Sequence, residues 1–335
     1  MNIPYTPAPG KTAIAAIGSA LVDLCLMESD DFISGSGAQT GGMVMVEHTH
    51  IENILLKTPN KPSVVPGGSA CNTAVGVGRL GWKSRFIGKR GDDDLGRAFE
   101  KCVKIAGVEP ILLTSQTATG RVLSIITPDA QRSMLTYLGA SAEILPDEIK
   151  GSYFEDCAIV HLEGYLMFNP DLMMAALKAV KSAGALVSLD LASYNVVEAS
   201  RGLLDEMIAG QYVDILMANE DEAAAFTGHR DEEKAAAKLG ESVLLAVMKL
   251  GKRGSVIIHK ESGSRIEIAP CGGGKPAVDT TGAGDLWASG FLYGLVNGYG
   301  LEHCGKLGSL CGYEVCQVVG AHIPDEGWER IRKIS

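Results

Sequence analysis

Asp279-Thr280-Thr281-Gly282-Ala283-Gly284-Asp285, running on through Leu286 to Leu295, is the stretch whose reading decides the fold of this chain. Apolar residues after it recur at helical spacing (Leu286, Leu292-Tyr293, Val296, with the small Ser289-Gly290 between), which predicts a helix from about Asp285. A strand is expected to end near Val278. The turn between them holds two glycines and hydroxyl residues, so it can aim several backbone N–H groups at one spot beside the positive end of the helix. That is an anion site. Asp285 stands on its rim. A carboxylate is repelled by bound phosphate, so the placement needs an offsetting gain. The natural gain is catalysis: Asp285 takes a proton from an alcohol while the N–H groups hold charge on a moving phosphoryl group. As four letters alone, Gly-Ala-Gly-Asp is equally a capped helix start, and short motifs match by accident.

The full seven residues resemble the C-terminal signature of the ribokinase-like (PfkB) family of carbohydrate and nucleoside kinases. The resemblance implies that Asp285 is the catalytic base. It implies that the backbone of Gly282, Ala283 and Gly284 forms the anion hole, with Thr281 on the nucleotide side.

Other segments follow in the order that family expects. Thr12 to Ile17 reads as a buried strand ending at Gly18, and Asp23 lies just beyond, where ligand contacts gather in open α/β sheets. In the family an Asp here grips sugar hydroxyls; capping a turn is its other reading. Gly67-Gly68 before a helix start resembles the first family signature, with the glycines as a hinge beside substrate and Asn72 on a sugar hydroxyl; a plain Gly-Gly turn is the alternative. Gly76 to Gly81 matches G-x-G-x-x-G at the far end of a helix, which excludes a dinucleotide fingerprint. Asp92-Asp93-Asp94 reads as a charged turn and helix cap. Thr119 to Ile126 and Ser133 to Leu138 give a hairpin signal across Thr127 to Gln131. Arg132 on that hairpin is a candidate for the transferred phosphate or a substrate group, or a solvated edge residue.

From Ala158 onward strand and helix alternate, which predicts a parallel sheet covered on both faces. Asn219 and Glu222 match the family's Asn-x-x-Glu, implied to organise hydrated Mg²⁺ largely through water; an acidic helix start is the other reading. Lys249-Leu250-Gly251-Lys252-Arg253-Gly254 resembles the nucleotide-phosphate loop, with Lys249, Gly251 and Gly254 on the nucleotide and Lys252 or Arg253 facing triphosphate charge. A hairpin turn is the alternative. Gly305 to Gly320 is expected to be one helix walling the nucleotide base.

The 335 residues carry a net charge of −10, which argues against a general nucleic-acid binder. No run reaches the ~18 apolar residues of a membrane span. The eight cysteines form no Cys-x-x-Cys pair and read as reduced thiols, so a cytoplasmic protein is expected. The expected fold is α/β: one ribokinase-like domain over 1–335, with a doubly wound, mostly parallel sheet. A small β-rich lid is expected from about 20–50 and 118–140. The expected activity is transfer of the ATP γ-phosphoryl group to a primary hydroxyl of a nucleoside, adenosine first, because segments 18–23, 66–72 and 132–140 resemble adenosine kinases. A free-sugar kinase is the alternative, and a non-catalytic nucleoside or sugar sensor a third reading. A K⁺ ion behind the 279–285 turn occurs in some relatives. Monomer and homodimer stay open.

Overall fold

The computed structural model describes residues 5–38, 42–127, 132–272 and 275–334. Among them the strands are, in chain order, β1 (Ala13–Ile17), β2 (Leu21–Met27), β3 (Met43–Met45), β4 (Ser63–Gly67), β5 (Lys83–Gly91), β6 (Val108–Ser115), β7 (Gly120–Ile126), β8 (Arg132–Tyr137), β9 (Cys157–Glu163), β10 (Leu186–Asp190), β11 (Ile215–Asn219), β12 (Leu245–Lys249), β13 (Ser255–His259) and β14 (Ser264–Ile268). Nine form one sheet in the order β14-β13-β12-β11-β10-β9-β1-β5-β6. Pairing is parallel from β6 across to β12, and β13 and β14 close the edge as an antiparallel ribbon. Strands β1 and β9 are buried at every residue, as a sheet covered on both faces requires. Helices such as Pro170–Ser182 and Glu232–Ser242 pack one face, with Leu177, Val180 and Leu239 in the core. Helix Ala283–Val296 packs the other through Trp287, Phe291 and Leu295.

The remaining five strands form a second, smaller sheet in the order β3-β8-β7-β2-β4. Its register puts Asp23, Val65, Val122, Thr136 and Met45 in one row on one face. Val22, Leu24, Leu123 and Leu135 point the other way and pack on Ile33, Ile51 and Ile54 from helices Asp30–Ser36 and His48–Leu55. Strand β4, from a segment outside the two expected for a lid, lies at the sheet's edge, where Pro66 can omit its N–H without breaking a central ladder.

Several elements differ from the sequence reading. No strand ends near Val278: β14 closes at Ile268, and residues 275–282 are irregular. Pro276 lacks a ladder donor, and Val278 N–H donates instead to Cys316 C=O (2.7 Å). The helix starts at Ala283, with Gly282 as cap. The last expected helix runs Leu301–Val315, and 316–320 turns back toward Asp279. Asp23 is not past a strand end but inside β2. The hairpin turn 128–131 and the side chain of Arg132 lie outside the described residues.

Candidate active site

The site forms where helix Ser69–Arg79 meets the first turn of helix Ala283–Val296. Gly282 has φ 72°, a left-handed conformation that costs a residue with a Cβ roughly 1–2 kcal/mol. Ala283 N–H, expected in the anion hole, donates instead to Thr280 C=O (3.1 Å); the first-turn N–H groups after it have no intrahelical partners and stand at the positive end of the helix. Thr281 donates twice to Asp279 Oδ1, from N–H (2.9 Å) and Oγ1 (2.8 Å). Gly320 N–H donates to Asp279 Oδ2 (2.8 Å). Asp279 thereby fixes the turn against the segment after helix Leu301–Val315.

Asp285 is half-buried in that first turn. Ser69 Oγ donates to its Oδ1 (2.7 Å) and Asn72 Nδ2 to its Oδ2 (2.9 Å). Thr73 Oγ1 donates to its backbone carbonyl (3.1 Å). Each carboxylate oxygen keeps room to accept one more proton. Burial raises its pKa to about 6; the Asn72 and Ser69 hydrogen bonds oppose the rise, nearby Asp190 adds to it, and Lys249 opposes it. A base poised near neutral pH is what proton abstraction from an alcohol asks for. The two helices approach closely because Gly76 faces Ser289: a Cβ on Gly76 would lie 2.3 Å from Ser289 Oγ.

Asp23 reaches the same place from the second sheet. It is 6% exposed, and a Cβ on Gly67 would lie 2.8 Å from its Cγ. Gly68, at φ 96°, starts helix Ser69–Arg79 so close to β1 that a Cβ would lie 2.2 Å from Ser19 C=O. Glu163, at the end of β9, ties these pieces together. Its Oε1 accepts from Ser19 N–H and Oγ (both 2.8 Å), and its Oε2 from Ala70 N–H (3.0 Å). Burial raises its pKa against those hydrogen bonds. The thiol of Cys71, buried one helical step on, is pushed up by burial and then by Glu163, Asp23 and Asp285. Three carboxyl groups thus surround one helix start.

A second group lies at the ends of β10 to β12. Lys249 Nζ donates to Asp190 Oδ2 (2.5 Å), and a Cβ on Gly284 would lie 3.0 Å from that Nζ. Asn219 and Glu222 close a reciprocal cap. Asn219 N–H and Nδ2 donate to the two Glu222 oxygens (2.8 Å each), and Glu222 N–H donates back to Asn219 Oδ1 (2.9 Å). Burial, then Asp190, raises Glu222 to about pKa 7, against Lys249. Gly251 and Gly254 shape the turn after β12, where Leu250 N–H donates to Gly254 C=O (2.8 Å). Arg253 is turned to Glu232 and Glu220 (2.7 and 2.9 Å).

Residues 42–327 match the family described as pfkB family carbohydrate kinase. The chain belongs to that family. Its fold is ribokinase-like, and its chemistry is phosphoryl transfer to a sugar or nucleoside hydroxyl, with ATP as the family's donor. It is 30% identical to 5-dehydro-2-deoxygluconokinase of Bacillus subtilis over 283 residues, 80% of this chain and 85% of that protein. An adenosine kinase from Sinorhizobium meliloti superposes with TM-score 0.86 at 31% identity, covering 97% of this chain and all of that one. A probable sugar kinase from Rhizobium etli CFN 42 superposes with TM-score 0.87 at 29% identity, covering 96% and 98%.

Sequence reading did not assign roles to Ser69, Glu163 or Asp190. The last two carried a signal already used for Asp23, a carboxylate closing a buried strand. Ser69 had none, since its partner lies 216 positions away.

Proposed function

We propose that this pfkB kinase phosphorylates the primary hydroxyl of a nucleoside, with adenosine the best candidate and Asp285 the general base. The observation that carries the reading is the grip of Ser69 and Asn72 on Asp285 at the mouth of the Gly282–Gly284 turn. A base held at hydrogen-bond range and a ring of N–H donors then act on the two ends of one transfer. Asp23 and Asn72 engage sugar hydroxyls, and the acceptor oxygen gives its proton to Asp285 as it attacks the γ-phosphorus in line; the bond to the β,γ-bridging oxygen breaks and ADP leaves with that oxygen. The N–H groups of Gly284 and Asp285 hold charge on the moving phosphoryl group. Positioning and electrostatics supply most of the acceleration.

The donor set suits a hydrated Mg²⁺ carried by the phosphates. No three His, Cys, Asp or Glu side chains among the described residues converge as a metal cage, and both Glu222 oxygens already accept from Asn219. Asn219 and Glu222 would hold such an ion through its waters. The ion would supply neutralising charge to the phosphates.

Two features favour a nucleoside over a bare sugar. The Asp23 row of the second sheet runs out to Met45, 52% exposed, with Met43 beside it at 47%. Thioether side chains adapt to flat rings. Tyr165 and Phe168 follow β9, 37% and 62% exposed. Tyr165 lies two residues beyond Glu163, whose carboxylate accepts from the N–H of Ala70 at the helix start. The adenosine kinase that matches end to end supports the same choice. The test is ATP consumption with a panel of nucleosides, ketoses and sugar acids, with the product's phosphate position read by NMR. Adenosine giving a 5′-phosphate is expected. A sugar acid turned over at least ~10⁴-fold better, the scale on which a site built for one hydrogen-bonding pattern rejects another, would move the assignment to the sugar kinases. Binding of adenosine without turnover would indicate a sensor.

A further inference from the structure

We propose that Asp190 and Lys249 work as one device in this reaction. Asp190 is a positioning residue that holds the Lys249 ammonium against the Gly284 turn, where it completes the anion hole, and keeps it off Asp285. The proposal rests on the kinase reading above.

The pair closes β10 and β12 and reaches across β11 between them. Its side chains are 6% and 15% exposed. Burying two charges costs desolvation that their attraction barely repays, so such a pair is weak evidence of a role in stability. The backbone beside it is also unusual. Ala192 has φ 65°, and its N–H donates to Asp190 Oδ1 (3.1 Å). A non-glycine residue in that region is strained, and such strain clusters at functional sites. The geometry then gives the pair an object, because the ammonium lies against the Gly284 backbone at the phosphate turn.

The groups around the ammonium decide what Asp190 prevents. Burial lowers the proton affinity of Lys249, while Asp190, then Glu222, then Asp285 raise it, and the net shift is upward. Glu222 faces it from helix Glu220–Thr227, and Asp285 from helix Ala283–Val296. Asp190 itself is drawn down by Lys249 against its own burial. His161 is fully buried, shares Nδ1 with Ser188 Oγ (3.0 Å) and is pushed by burial down to about pKa 4, so it stays neutral and cannot replace the lysine. Without Asp190, the ammonium's remaining anionic neighbours are Glu222 and Asp285. Pairing with Asp285 would lower the proton affinity of the base.

The test compares D190N, K249M and the double variant in the full chain, each checked by thermal melt. K249M should lower kcat at least ~10²-fold, the scale for loss of one anion-hole donor, with the acceptor KM little changed. D190N should lower kcat about tenfold, equivalent to one poorly placed charged hydrogen bond. The acid limb of the kcat–pH profile should move up in K249M and down in D190N, because Lys249 and Asp190 act on Asp285 with opposite signs. On the plateau of the profile the double variant's kcat should match that of K249M alone, since Asp190 affects turnover through the lysine. Losses that multiply, shifts in the same direction, or full kcat in K249M would overturn the proposal. If D190N fails to fold around a lone buried ammonium, K249M against the double variant still decides. Failure of the kinase reading shows separately, as a wild type that spends no ATP on any acceptor. The pair is then judged by binding of a non-hydrolysable ATP analogue against ADP. K249M should weaken the analogue about tenfold and leave ADP alone, and equal effects on both would refute it.

Discussion

Asp285 is gripped by Ser69 and Asn72, yet burial still lifts its proton affinity, so the free protein stores a cost in the residue proposed as the base. Its pKa is about 6 in the fold, above the usual carboxylate value near 3.9. The native state therefore binds more protons than the unfolded chain between those values. Asp285 favours folding at low pH, and that contribution is lost as pH rises through about 6. Other carboxylates pull the opposite way, among them Asp93, whose hydrogen bonds to Thr119 and Gly96 outweigh its burial, so the term is isolated by difference. Asp285→Asn can accept from Asn72 and donate to Ser69. It should melt above the wild type at pH 8, with the gap shrinking toward pH 5, in thermal melts without ligand. A gap that widens on acidification would contradict the assignment.

The elements explain both what was legible in the sequence and what was not. Helix Ala283–Val296 announced itself through periodicity, and Asn219 and Glu222 through the strand end before a capped helix. The strand expected before the signature is absent because Asp279 and Cys316 hold residues 278–281 in place of a ladder. Helix Asp30–Ser36 was hidden by its composition: Gly35 weakens any helical signal, and tertiary packing of Ile33 supplies what propensity lacks. The second sheet was legible as a hairpin, but its mixed pairing of β2 with β7 joins segments about a hundred residues apart, and no local pattern records that. Contact between the two site helices predicts the effect of Gly76→Ala. The added methyl meets Ser289 and Leu286 and must push the helices apart, at roughly 1–3 kcal/mol of stability. Denaturant unfolding should show that loss. Turnover should fall as well, because Ser69 and Asn72 move off Asp285; unchanged kcat would mean their grip is not needed.

Across the whole molecule, residues from 23 to 285 converge at the C-terminal ends of one sheet, where a second sheet lies over the start of helix Ser69–Arg79. In the proposed mechanism that convergence is what lets a chain of net charge −10 handle an anionic donor, with N–H groups, one paired lysine and a hydrated ion acting locally. The central claim is that Asp285 accepts the acceptor's proton, and it is tested most directly by the turnover of Asp285→Asn with ATP and the best acceptor from the panel. A folded variant with kcat lowered at least ~10²-fold, the low end for a general base, is the predicted result. A folded variant that keeps wild-type kcat would contradict the account.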